Sequence, residues 1–352
     1  MTRPGVGSEV VLEVEDLTVS FPTEDGLVRA VRGVSYDLRL GEVLGIVGES
    51  GSGKSVTSKA VMGLLPGSAK VGGSVRFRGQ ELIGAPEKEL QAIRGGRIAM
   101  VFQDPMTSLN PVYTVGDQIA EAVRAHNDVS AAAARERAVE LLAMMQIPRP
   151  RERARDYPHE FSGGMRQRVV IATAMANDPD VIIADEPTTA LDVTVQAQVL
   201  EALETARAAT NAAMVLITHD LGVIAGTADR VLVMYAGRPV ELGDVDDIYY
   251  RPRMPYTLGL IGSLPRLDTA QRGDRLVPIT GSPPSLLNLP PGCPFAPRCP
   301  LRQDQCEQVE PAVLATHSPN HLAACHFSAD LEGRRPEDVF IATSVDNSGG
   351  TP

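Results

Sequence analysis

From Val10 to Leu40 apolar and polar residues alternate, as in Val28-Arg29-Ala30-Val31-Arg32 and Val34-Ser35-Tyr36-Asp37-Leu38. A period of two sends successive side chains to opposite faces. The stretch therefore predicts an antiparallel β layer, with turns at Pro22 and at Asp25-Gly26. Val43 to Val47 replaces alternation with a nearly continuous apolar run, the pattern of a strand covered on both faces in a parallel sheet. Val181–Ala184 and Met214–Ile217 repeat it. Helical spacing covers Lys54–Leu65, Gly116–Ala125, Ala131–Met145, Met165–Ala176 and Gln196–Ala208. Strands alternating with helices predict a doubly wound α/β core. The mostly helical region from about 88 to 165 falls between core strands and reads as an inserted helical subdomain.

Beyond about Pro265 the pattern changes. Pro283, Pro284, Pro290, Pro291, Pro294, Pro297 and Pro300 crowd one stretch, which excludes a regular helix or strand there. All four cysteines lie in this segment, so it reads as an appendage held by something other than secondary structure. Residues 1–8 and 341–352 are polar and rich in Gly and Pro, and are expected to be loose.

Composition narrows the class. The 352 residues suffice for one large α/β domain with an appendage, or for two modest domains. Apolar residues make up 43% and charged residues 22%, ordinary for a folded soluble protein, and four cysteines are too few for a disulfide scaffold. A net charge of −11 argues against a general nucleic-acid footprint, so no nucleic-acid partner is expected. No apolar run approaches the roughly 18–20 residues that cross a bilayer, and the N-terminus lacks a signal-like apolar stretch. A cytosolic chain is the expectation.

Gly48-Glu49-Ser50-Gly51-Ser52-Gly53-Lys54-Ser55 fits G-x-x-x-x-G-K-[ST], with an apolar strand before it and a helix after it. In such a loop backbone N–H groups turn toward phosphate oxygens and the helix N-terminus adds positive potential. Lys54 would reach the β- and γ-phosphates, and the Ser55 hydroxyl would ligate Mg²⁺. Val181-Ile182-Ile183-Ala184-Asp185-Glu186 supplies the partner: Asp185 emerges at the carboxyl end of a buried strand, where a carboxylate can hold that ion. Glu186 is placed to polarise an attacking water.

At Phe161-Ser162-Gly163-Gly164-Met165-Arg166-Gln167-Arg168 the sequence resembles the nucleotide-binding subunits of ATP-binding-cassette (ABC) transporters, whose signature is usually Leu-Ser-Gly-Gly-Gln. The resemblance implies a P-loop ABC ATPase core with an antiparallel β subdomain, an inserted helical subdomain and a cysteine-containing C-terminal extension. It further implies that two cassettes pair head to tail, each ATP lying between Lys54 of one and Ser162-Gly163-Gly164 of the other. Gln103 stands at the Q-loop position that contacts Mg²⁺, Ala190-Leu191-Asp192 resembles the D-loop, and His219 takes the place of the switch histidine that meets the γ-phosphate. Phe21 is the expected aromatic platform under adenine, with Tyr36 a weaker candidate. Phe161, Met165 and Val56 stand where relatives commonly carry Leu, Gln and Thr; none removes a ligand of phosphate or metal. Glu186, His219, Lys54 and Gln103 together predict a hydrolysis-competent site binding ATP and Mg²⁺.

Tyr249-Tyr250-Arg251-Pro252-Arg253-Met254-Pro255-Tyr256-Thr257 and the tail Gly292-Cys293-Pro294-Phe295-Ala296-Pro297-Arg298-Cys299-Pro300 resemble the oligopeptide/dipeptide importer branch. The implied divisions are a flexible start at 1–9, an ABC domain at 10–262, the extension at 263–328 and a mostly flexible tail at 329–352. Peptide import is the expected role, with nickel or another small solute, or a soluble ABC ATPase, as alternatives. Implied partners are two transmembrane permeases, a second ATPase subunit (a paralogue rather than a copy) and, indirectly, an extracytoplasmic solute-binding protein. The expected location is the cytoplasmic face of the membrane. Cys293, Cys299, Cys306 and Cys325, spaced C-x5-C-x6-C-x18-C, suit a [4Fe–4S] cluster, which relatives in the branch carry. Zn²⁺, joined by His317, His321 or His326, and bare thiols are the alternatives.

Overall fold

The computed structural model describes residues 7–189, 191–264 and 278–340. The expected loose ends at 1–6 and 341–352, and Ala190 of the D-loop, lie outside the described residues. Twelve strands are described: β1 (Val10–Thr23), β2 (Gly26–Arg39), β3 (Val43–Val47), β4 (Lys70–Phe77), β5 (Gln80–Glu81), β6 (Ile98–Val101), β7 (Val181–Asp185), β8 (Ala213–Ile217), β9 (Arg230–Tyr235), β10 (Arg238–Asp244), β11 (Leu314–Ala315) and β12 (Leu322–Ala323).

They form two sheets, β2-β1-β4-β5 and β11-β12-β10-β9-β3-β8-β7-β6. The first is the expected antiparallel layer. Its hairpin turns between Thr23 and Gly26, and Pro22 is not a turn residue: it stays in β1 opposite Leu27. Pairing of β1 with β4 extends only from Leu12 to Ser20, so the missing N–H of Pro22 costs no bond on that side.

In the second sheet β6, β7, β8, β3 and β9 run parallel. Alternate residues of these strands go to two different cores. Val43, Val47, Ile182, Ala184, Met214 and Leu216 join the cluster beneath the helices, while Leu44, Ile46, Val181, Ile183, Val215 and Ile217 join the one beneath the antiparallel layer. Burial on both faces explains why these strands read as unbroken apolar runs. Each fully buried aliphatic side chain contributes about 1.5–3 kcal/mol relative to exposure.

The helices run close to expectation: Lys54–Val61, Val115–His126, Ala131–Met144, Gly163–Ala174 and Val193–Thr210. Thr114, Ser130, Ser162 and Asp192 cap four of them through their side chains. Within 88–165 the chain runs through the short helix Glu87–Ile93, then contributes β6 to the main sheet, and the helices from Pro105 to Glu160 follow. In the C-terminal extension β12 pairs with β10, so regular structure does help to hold it. The tail also differs from expectation up to residue 340. Leu331, Val339 and Phe340 are buried, apolar anchors that dock it against the cassette.

Candidate functional site

The phosphate loop joins β3 to the helix Lys54–Val61. Two of its glycines are obligatory. At Gly48 (φ +152°) a Cβ would lie 2.2 Å from the Met234 carbonyl oxygen, and at Gly53 (φ +100°) 2.5 Å from that of Ala30. Residues 48–56 line one side of a cleft of about 750 Å³ whose other walls include Gln103, Glu186, His219, Leu260 and Leu286.

Lys54 is 4% exposed; its Nζ donates to the carbonyls of Gly48 (2.8 Å) and Glu49 (3.1 Å) and lies 4.0 Å from Glu186 Oε1. Burial pulls the ammonium below the usual lysine range, against the opposing pull of Glu186, Asp185 and Glu49. Ser55 Oγ donates to Asp185 Oδ1 at 2.8 Å. Burial and then the neighbouring Glu186 push the Asp185 carboxyl up. Glu186 has left-handed backbone (φ +49°), an arrangement a non-glycine residue holds only under constraint. Its Oε2 accepts from Gln103 Nε2 (3.0 Å) and Thr189 Oγ1 (2.9 Å) and lies 3.7 Å from His219 Nδ1.

The donor set fits an Mg–phosphate ligand. Ser55, Asp185 and Gln103 offer hard oxygen ligands, and Ser52 Oγ at the loop is buried with no partner among the described residues. Thus Gly48, Glu49, Ser50, Gly51, Ser52, Gly53, Lys54, Ser55, Val56, Gln103, Glu186 and His219 meet in one cleft. Other expected residues do not line it. Ser162 caps the helix Gly163–Ala174, accepting from Met165 N at 3.4 Å, and a Cβ on Gly164 would lie 2.2 Å from Val195 Cγ1. Asp192 is exposed and caps the neighbouring helix, accepting from Val195 N at 3.0 Å. Signature and D-loop therefore share a surface apart from Lys54. Phe21 lies opposite Val28 in the β1–β2 hairpin, packed on a core cluster and not among the cleft's walls. Tyr36 is buried in the same core.

Sequence reasoning missed the support behind the loop. Arg298 donates to both oxygens of Glu49, at 2.6 and 2.8 Å. The Tyr256 hydroxyl accepts from Glu49 N at 2.8 Å. Tyr235, Tyr256 and Phe295 pack around these groups with ring centroids 4.5–5.4 Å apart.

Cys293, Cys299, Cys306 and Cys325 are free thiols that line one small apolar pocket with Met254, Phe295 and Leu301. Burial pushes the Cys299 thiol up to about 11 and Cys325 up to about 12, with the other sulfurs adding to the rise. A set of thiolates here needs a compensating cationic centre, so the donor chemistry fits a metal or cluster. His326 lines this pocket; its Nε2 lies 2.8 Å from Val309 O. His317 and His321 do not belong to it. They gather instead with Asp247.

A sequence profile described as "ABC transporter" matches residues 31–189, and one described as "Oligopeptide/dipeptide transporter, C-terminal region" matches residues 240–306. The chain is 58% identical over 331 residues to the oligopeptide transport ATP-binding protein of Mycobacterium tuberculosis, covering 94% of this chain and 54% of that one. It thus spans about half the length of the mycobacterial relative. Against the dipeptide transport ATP-binding protein of Bacillus subtilis the identity is 54%, over 95% of this chain and 98% of that one. Among solved structures, a dimeric ATP-binding cassette in a post-hydrolysis state with ADP and Pi matches with a TM-score of 0.59 and 27% identity, over 66% of this chain and 98% of that one.

Proposed function

The chain belongs to the ABC transporter family, and from that premise we propose that it is the ATP-binding, ATP-hydrolysing subunit of an importer of dipeptides or oligopeptides. The observation that carries this reading is the meeting of Lys54, Gln103, Glu186 and His219 with the Ser55–Asp185 pair around one cleft. Ser55, Asp185 and Gln103 hold Mg²⁺, which neutralises charge between the phosphates when bound. Lys54 and the loop's N–H groups bind the β- and γ-phosphates. Glu186, held between Gln103 and Thr189, orients and takes a proton from the attacking water, and His219 stands beside the transferred group.

The signature Ser162-Gly163-Gly164 opens a helix of twelve residues yet does not line Lys54's cleft. It completes the site of a second cassette, head to tail, with Asp192 crossing between the two. Phe102, Met106, Val112 and Tyr113 are large apolar side chains exposed beside the Gln103 loop and the inserted helices. That patch is where a permease would rest, so Gln103 couples nucleotide state to the membrane partner. No helix among the described residues is long and apolar enough to cross a bilayer, which suits a peripheral subunit on the cytoplasmic face. The C-terminal profile supports peptide cargo. Cys293, Cys299, Cys306 and Cys325 hold a [4Fe–4S] cluster that staples the Pro-rich extension.

The test is ATP-driven uptake by proteoliposomes containing this chain with its co-purified permeases. Uptake of labelled di- or oligopeptide that stops with Lys54→Ala supports the reading. Uptake of Ni²⁺ without peptide overturns the cargo, and recovery of the chain with ribosomes or DNA instead of permeases overturns the transporter.

A further inference from the structure

We propose that Asp247, His317 and His321 form a divalent metal site of the Zn²⁺ class that clamps the C-terminal extension to the cassette. Among the described residues this is the group of three metal-capable side chains whose ligand atoms all lie within 4.8 Å of one another. Asp247 comes from the cassette helix Val245–Tyr250, and the histidines from the turn joining β11 to β12 in the extension. A shared ion would bridge the two.

The second observation is His321 itself. Its ring is fully buried, and Nε2 lies 2.7 Å from Glu241 Oε1. That leaves Nδ1, also buried, with no partner. Buried ring nitrogens are normally satisfied, so an orphan one needs a reason. A histidine held by a carboxylate through one nitrogen and free at the other has the arrangement of a metal ligand with its orienting partner. The space is specified too: a Cβ on Gly243 would come within 3.0 Å of His321 Cδ2.

The other ligands are also held in place. Thr316 donates to the His321 carbonyl through N–H (2.8 Å) and Oγ1 (3.0 Å), which closes the turn and fixes the spacing of the two histidines. Their rings meet edge to face, centroids 5.1 Å apart. His317 Nε2 lies 3.4 Å from Asp247 Oδ1, while its Nδ1 lies 3.3 Å from Thr316 Oγ1. Arg251 holds the same carboxylate, with Nε 2.9 Å and Nη2 2.6 Å from Asp247 Oδ1, so an ion must displace this guanidinium, whose side chain is 57% exposed. Two imidazoles and one carboxylate suit Zn²⁺ and its first-row neighbours, whereas Mg²⁺ and Ca²⁺ prefer oxygen alone.

The experiment titrates metal-stripped full-length chain with Zn²⁺ alone, then with Co²⁺ as a spectroscopic probe. Variants are His317→Ala and Asp247→Asn, each read against the parent, since neither substitution touches the four cysteines and whatever metal they hold. His317 is largely at the surface, and equal melting temperatures of the metal-free variants and parent confirm intact folds. The expected result is one equivalent in the parent beyond any held by the cysteines, its affinity weakened about a hundredfold or more in both site variants. The Co²⁺ equivalent that the site variants lose should carry ligand-field bands without thiolate charge transfer, and Zn²⁺ should raise the melting temperature of the parent more than that of His317→Ala. Zn²⁺ stoichiometry and affinity unchanged by His317→Ala and Asp247→Asn, or Co²⁺ bound only with thiolate bands, would overturn the site.

Discussion

Arg298, one residue before Cys299, clasps both carboxylate oxygens of Glu49 in the phosphate loop, at 2.6 and 2.8 Å. The two residues are 249 positions apart, and the contact ties the C-terminal extension directly to the nucleotide cleft. Arg298 is buried over the rings of Tyr235 and Phe295, each 5.9 Å away, so its geometry is set by packing as well as charge.

Removing that clasp should loosen the loop. A charge-assisted bidentate pair with one partly exposed member contributes on the order of 1–2 kcal/mol, so Arg298→Ala should weaken ATP binding roughly five- to thirtyfold. Binding of a fluorescent ATP analogue measures this. An unchanged dissociation constant in a folded variant would leave the extension without influence on the cleft.

The same contact links the cysteines to ATP. Cys293 and Cys299 bracket Arg298, and Cys293 N donates to the Cys306 carbonyl at 2.7 Å. Chain purified without oxygen should carry iron and acid-labile sulfide in a ratio near one. Stripping the metal should raise the Michaelis constant for ATP in the direction of Arg298→Ala. Zinc without iron, or no metal at all, would remove the cluster.

The surface separation of signature and phosphate loop predicts a split phenotype. In Gly164→Ala a Cβ would stand 2.2 Å from Val195 Cγ1, forcing the signature helix away from the helix Asp192 caps. ATP binding to the isolated chain should stay within about twofold of normal, while hydrolysis in the assembled transporter should fall tenfold or more. Equal loss of both would mean that the signature acts within its own chain.

What could be read in the sequence follows from burial. Val43–Val47, Val181–Asp185 and Ala213–Ile217 are covered on both faces, so their apolar runs announce themselves, and the loop after the first carries its own motif. β4 contains Gly72-Gly73 with little apolar alternation, and β12 is two residues long, so neither leaves a periodic signal. Pro22 reads as a turn because local pattern cannot show how far β4 extends along β1. Residues 329–340 look polar and loose in sequence, yet three apolar anchors, Leu331, Val339 and Phe340, find the core. Arg298 to Glu49 and His321 to Glu241 join distant segments through single side chains, and no spacing rule exposes them.

The central claim is that Glu186, strained into left-handed backbone and held by Gln103 and Thr189, drives water onto the γ-phosphate. The most direct measurement is steady-state ATP hydrolysis by the assembled transporter carrying Glu186→Gln, with ATP binding measured on the same sample. The account predicts normal binding and turnover reduced about a hundredfold or more, the scale of a lost general base. Turnover within a few-fold of the parent would contradict it.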